Sequence, residues 1–334
     1  MKPELICPAG SLPALKAAVD NGADGVYLGL ADATNARNFP GLNFDSVNLR
    51  VGIRYAHAHR RKVFMAINTY AQAGEVTKWE RAVDTAAFCG VDAVILADPG
   101  VMRYAAKRYP ALRLHLSVQG SATNAAAIEL YRRSFGIARA VLPRVLSLAQ
   151  VEEVIRNTEV EIEVFGFGSL CVMTEGRCSL SAYATGQAPN THGVCSPASA
   201  VRWLAREDGG VDARLNNVLI DRFDQDESAG YPTLCKGRFK VEEQLYYAIE
   251  EPVSLNAMEL LPTLVCIGVA AVKIEGRQRS SAYVGKVTRA WRAAIDACAL
   301  QREQFKPRRE WNDSLAAFAE AQQVTFGAYH RAWR

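Results

Sequence analysis

Short apolar runs rich in β-forming residues alternate with longer amphipathic runs from the N-terminus onward, and this alternation constrains the fold more than any other feature. The apolar runs begin at Leu5 and Ile6 and recur at 25–30, 63–68, 93–97, 112–119, 140–143 and 162–167. Helical patterns lie between them, among others at 12–20, 44–59, 78–89 and 123–133. The repeat of roughly 20 to 35 residues is the length of one βα unit. An eighth strand is expected at 271–275, ahead of a last helix near 283–298. The expected fold is therefore α/β, a TIM-type (β/α)8 barrel, since a barrel of about 250 residues with insertions accommodates the 334 residues of the chain. A doubly wound open sheet produces the same alternation and is the competing architecture.

The stretch 168–251 breaks the rhythm. Gly, Pro, Ser and Asn concentrate there, together with four of the eight cysteines. The expected layout is seven βα units in 1–167, a cysteine-rich cluster-binding insertion in 168–251, a helix–strand–helix closing the barrel in 252–300, and a tail in 301–334 packing on the barrel. Loops at the C-terminal ends of barrel strands build active sites, so an insertion after the seventh strand should roof the catalytic face.

The start, MKPELICPAG, places a proline and a glutamate where a secretion signal needs an apolar run, and no stretch reaches the roughly 20 apolar residues of a membrane span. The expected location is cytoplasmic. In that reducing compartment clustered cysteines read as metal-binding or catalytic rather than as disulfides. The net charge of +4 does not by itself argue for nucleic acid as a partner.

Cys171, Cys178, Cys195 and Cys235 all sit beside Gly or Pro in loop-like segments. Such punctuation gives the backbone freedom to bring thiolates to one point. Paired C-x2-4-C knuckles, which structural zinc favours, are absent from these four, whereas iron-sulfur clusters accept wider spacing. Iron-sulfur is thus favoured over zinc, with four unrelated thiols as the alternative. Arg177, Lys236 and Arg238 flank the ligands and are expected to lower thiol pKa values or to hold an anionic substrate. Cys89, Cys266 and Cys298 read as core packing. Cys7, at the end of the first strand, is expected near the barrel mouth.

Polar residues occupy one face of two predicted strands. Lys273 and Glu275 alternate with Val272 and Ile274, and Arg113, His115, Ser117 and Gln119 alternate with Leu114, Leu116 and Val118. These should point into the lumen, where Glu161 and Glu163 can meet Lys273. The functional reading is a pocket for a polar or anionic molecule formed by Asn68, Gln119, Asn124, Arg144, Glu275 and Arg277; the alternative is a barrel plugged by ion pairs. The chain has no H-E-x-x-H, G-x-S-x-G, P-loop or G-x-G-x-x-G motif.

The segment Glu163-Val-Phe-Gly-Phe-Gly-Ser-Leu-Cys171, continued by Gly176-Arg-Cys-Ser-Leu-Ser181, resembles the signature of the collagenase-like peptidase family. The opening LICPAGSLPALKAAVDNGADGVYLGL, SVQGSATN, YPTLCKGRF and KIEGRQRSSAYV extend the resemblance, toward family members that serve ubiquinone biosynthesis, over essentially the whole chain. It implies a subunit of an oxygen-independent hydroxylase acting on ubiquinone precursors. The implied cofactor is a 4Fe-4S cluster on Cys171, Cys178, Cys195 and Cys235, and the implied partner a UbiV-like paralogue in a heterodimer. A carrier protein would present the lipid precursor, and prephenate would donate oxygen. Hydroxylation of RNA bases, known in related members, is the second expectation, and a non-catalytic iron-sulfur scaffold the third. The family's peptidase label finds no nucleophile, base and orienting group to rest on.

Overall fold

In β1 (Glu4–Pro8) Leu5 and Cys7 turn outward toward the helices, while Ile6 turns inward. The computed structural model describes residues 2–173 and 177–330. Six further strands follow in parallel, each after a helix: α1 (Leu12–Asp20), β2 (Gly25–Gly29), α2 (Ser46–Ala58), β3 (Lys62–Ile67), α3 (Val76–Cys89), β4 (Ala93–Leu96), α4 (Pro99–Arg108), β5 (Arg113–Leu116), α5 (Ala125–Phe135), β6 (Arg139–Val141), α6 (Leu148–Arg156) and β7 (Glu161–Ser169). Local chemistry sets the helix ends. Ser11 caps α1 and Asp98 caps α4, each with proline in the first turn, while α3 and α5 stop at the left-handed Gly90 and Gly136.

The insertion comes next. It holds α7 (Ser179–Thr185), α8 (Pro189–His192), an antiparallel sheet of β8 (Val201–Ala205), β9 (Val211–Leu215) and β10 (Val218–Phe223), and a hairpin of β11 (Arg238–Val241) and β12 (Gln244–Tyr247). It then rejoins the barrel through β13 (Ser254–Asn256), antiparallel to β7 with Ser254 opposite Ser169. After α9 (Leu261–Cys266), β14 (Ala271–Ile274) pairs in parallel with both β1 and β7. That double pairing closes eight strands into a TIM-type barrel and excludes the open sheet.

The chain ends with α10 (Ser281–Gln301), α11 (Arg309–Ala316) and β15 (Val324–Thr325), the last parallel to β13. Trp79, Trp291, Phe44 and Leu15 are fully buried between sheet and helices; each such side chain stabilises the fold by roughly 1.5–3 kcal/mol relative to exposure. Among the described residues no helix is long and apolar enough to cross a membrane.

Four expectations need correction. The strand expected at 112–119 ends at Leu116, because the Ser117 hydroxyl accepts from the Gln119 N–H and turns the chain into a short 3-10 segment. Cys298 is buried, but Cys89 is half-buried and Cys266 exposed. In α9 the buried positions are Leu261 and Leu264, and Cys266 falls on the other side of the helix. Cys7 does not reach the mouth: it lies in the outer core, where the Thr288 hydroxyl donates to its sulfur at 3.2 Å.

Candidate active site

Inward-facing side chains divide the lumen into a closed lower part and an open upper part. At the N-terminal end, Arg139 is buried and bonds Glu4 and Glu161 at 2.7 Å each, with Glu163 at 3.3 Å. Lys62 meets Glu4 at 2.6 Å and Arg113 meets Glu161 at 2.7 Å. Burial, with Arg139 and Arg113 nearby, holds His115 well below the usual imidazole range, so it is neutral. Above it Lys273 bonds Glu163 at 2.7 Å and lies 3.8 Å from the centre of the Tyr27 ring. The lower lumen is thus a plug of satisfied ion pairs.

Above the plug lies an open cleft at the mouth of the barrel. Of the residues expected in a pocket, Asn68, Gln119, Arg144, Glu275 and Arg277 line it. Asn124 does not. It is exposed and caps α5, accepting from the Ala127 N–H at 2.9 Å. Tyr27, Arg37 and Phe165 also line the cleft and were missed, Arg37 because it lies in a loop without periodicity.

The charge of the lining is lopsided, with Arg37, Arg144, Lys273 and Arg277 facing a single carboxylate, Glu275. Burial opposes ionisation of Glu275, but Arg144 and Arg37 outweigh it and hold the carboxyl below its usual range. Arg144 stacks on Phe165 at 3.9 Å and reaches Glu275 at 3.3 Å. Arg277 is buried and donates to Asn35 Oδ1 at 2.6 Å; among the described residues it has no carboxylate partner. Burial, reinforced by Arg37, pushes it down to about 10. Gly10 fixes the Arg277 backbone, since a Cβ there would stand 1.8 Å from the Arg277 carbonyl oxygen. The Gln119 side-chain oxygen is buried here without a partner. Such a cleft attracts a small anion carrying more than one charge.

The cysteines lie on the insertion above the same end of the barrel. Cys171 follows β7 closely, Cys178 caps α7, Cys195 follows α8, and Cys235 sits in a 3-10 turn. Burial pushes the Cys235 thiol up to about 11, opposed by Lys236 and reinforced by Cys195 and Cys178. Cys195 and Cys178 therefore both act on Cys235, where the expected lowering by flanking cations loses to burial. Arg238 turns away to Asp221 and Glu227, at 2.6 and 2.9 Å. Among the described residues no three His, Cys, Asp or Glu side chains form a ready metal cage.

Two bonds tie this insertion to the cleft. Arg177, next to Cys178, donates to the Gln119 carbonyl at 2.7 Å and stacks on Tyr70 at 4.2 Å. Arg37 donates to the carbonyl of Gly193, two residues before Cys195, at 3.2 Å. A Cβ at Gly193 would stand 2.8 Å from the Asn38 nitrogen, at a φ of +88°, so only glycine permits this approach.

The profile of peptidase family U32 matches residues 10–331. The chain belongs to that family. The match agrees with the collagenase-like signature around Cys171, of which Gly176 lies outside the described residues. Among U32 relatives, tRNA hydroxylation protein P of Escherichia coli K12 is 32% identical, over 89% of this chain and 69% of its own length. The Haemophilus influenzae protein of the same name is 30% identical, over 94% and 72%. The 23S rRNA 5-hydroxycytidine C2501 synthase of E. coli is 27% identical, over 90% of this chain and 40% of its own. A solved structure, the U32 peptidase Mk0906, superposes with a TM-score of 0.42 at 15% identity, over 50% of this chain and 69% of that one. Among the described residues, the lining of the cleft includes no histidine or cysteine.

Proposed function

We propose that this chain is an oxygen-independent hydroxylation protein in which Cys171, Cys178, Cys195 and Cys235 hold a 4Fe-4S cluster beside a cleft for an anionic oxygen donor. The observation that carries the reading is the tie between the two parts: Arg177 and Arg37 each link a cysteine-bearing loop to the cleft. The donor set suits the cluster in kind, because thiolate sulfurs are the soft ligands of iron-sulfur chemistry. When bound, the cluster supplies one-electron chemistry. The chain's own residues do the rest: Arg144, Arg277 and Arg37 hold and orient the donor's charges, Phe165 shields one face, and Gln119 offers a buried oxygen to a donor hydroxyl. Prephenate, with two carboxylates, suits such a lining.

Two acceptors for the hydroxyl have support. The names of the hydroxylation relatives favour an RNA base. The ring of a ubiquinone precursor is favoured by the segments quoted above, by the modest net charge of +4, and by the insertion, which exposes Tyr183, Trp203, Leu204, Tyr231, Leu245 and Tyr246. The second is our reading, with the chain as the iron-sulfur subunit of a cytoplasmic heterodimer with a UbiV-like paralogue, the lipid arriving on a carrier protein.

The test has two parts. Iron and acid-labile sulfide are measured on anaerobically purified protein and on the four Cys→Ala variants; about four of each per chain, lost in every variant, is expected. Cells lacking the chain are then grown without oxygen and both quinones and nucleosides are measured. Accumulation of an under-hydroxylated quinone precursor with unchanged RNA hydroxylation is expected, and the reverse would transfer the function to RNA.

A further inference from the structure

Glu320 touches three parts of the chain that the insertion must keep together. Its Oε1 accepts from the Ser169 hydroxyl at 2.5 Å, at the end of β7. Its backbone N–H donates to Ser254 Oγ at 2.9 Å, at the start of β13. Ser169 and Ser254 face each other across the β7–β13 pairing, so they are the stems through which the insertion leaves and rejoins the barrel. The other carboxylate oxygen pairs with Lys236, the residue after Cys235. The pair is shielded, with the Lys236 side chain only 7% exposed.

The backbone presenting this carboxylate is strained. Ala321 and Gln322 both adopt left-handed φ values, 47° and 56°, a region that crowds an L side chain against its own carbonyl. Such residues persist where the surroundings over-determine them, and they cluster at clamps and switches. Here Ser254 N–H donates to the Gln323 carbonyl at 3.0 Å and β15 pairs with β13, holding the turn from its far side. Lys236 also acts on the cleft, where it favours the ionised form of Glu275.

We propose that Glu320 is a positioning residue that latches the cysteine insertion to the barrel and fixes Lys236, the residue next to Cys235, against it. What Lys236 does to a cluster rests on the function proposed above; the latch itself does not. Without the carboxylate, Ser169 loses its acceptor while Ser254 keeps the backbone N–H of residue 320, and the Lys236 ammonium is left uncompensated beside Cys235.

The latch is tested first on iron-free protein by limited proteolysis of wild type, Glu320→Ala and Ser169→Ala, each of which removes the bond between Ser169 and residue 320. Cleavage within 170–253 should accelerate about tenfold in both variants while the barrel fragment survives; wild-type cleavage rates would overturn the latch. On iron-loaded protein the midpoint potential is measured by EPR-monitored titration. Glu320→Gln should raise it, because the uncompensated ammonium favours the more negative reduced cluster, and Lys236→Met should lower it, because the carboxylate is left alone. Shifts of one sign, or none, would overturn the electrostatic role. Wild-type protein without iron and sulfide would defeat the cluster reading and leave proteolysis to decide the latch.

Discussion

Arg277 carries a buried guanidinium whose polar partner is an amide oxygen, Asn35 Oδ1. A bound anion would supply the missing charge, and charge-assisted hydrogen bonds contribute about 1.5–3 kcal/mol each. Arg277→Met should therefore weaken binding of a small dicarboxylate such as prephenate about 10- to 100-fold by calorimetry; a loss below about twofold would remove Arg277 from the site. Asn124 offers the contrast. Asn124→Ala should cost about 1 kcal/mol of stability as a lost cap and leave anion affinity unchanged. That role was readable in the sequence, since an asparagine directly before Ala-Ala-Ala is a helix-start signal. Arg37 was not readable, because reaching both the cleft and Gly193 is a property of a loop conformation.

At the level of elements, the lumen network ties β1, β3, β5, β6, β7 and β14 through their inward side chains. Lys273 and Glu163 stand on neighbouring strands and bond in the buried lumen, so Glu163→Gln should destabilise the fold by about 3–5 kcal/mol in urea titrations. Adding Lys273→Met should recover much of that loss, since the uncompensated cation disappears. The same network sets the acid limit. Burial opposes ionisation of Glu4 and Glu161, but Lys62 and Arg139 at the first and Arg139 and Arg113 at the second outweigh it, and both carboxyls lie below 4.5. Their stabilising effect is complete above 4.5 and is lost as pH falls through the lowered values; partial exposure of both carboxylates moderates it. Urea midpoints should be level between pH 7 and 5 and drop toward pH 3. This layer was legible because a strand's two-residue period alone sends Lys273 and Glu275, or Arg113 and His115, to one side. The turn after Leu116 was not, because a single side-chain bond from Ser117 decides it.

For the whole molecule, the barrel and the insertion differ in what supports them. The barrel buries a continuous core of aromatic and branched side chains, whereas β8 and β12 are largely exposed. On the cluster reading proposed above, removing iron should therefore leave hydrogen exchange of the barrel helices unchanged and speed exchange across 170–253, measured by mass spectrometry; equal loosening everywhere would mean that the barrel depends on the cluster. Alternation of strand and helix made the barrel legible, and breaks in that alternation marked the insertion. Its strand pairings were not legible, because short antiparallel strands between turns carry little period. The seam has one further consequence. β14 completes the barrel between β1 and β7, yet it is encoded after the insertion. On the ribosome, seven strands emerge with two open edges and must wait for about three-tenths of the chain to be made before closure. Until then Glu163 lacks its lysine, and Arg139 is the cation that keeps its place.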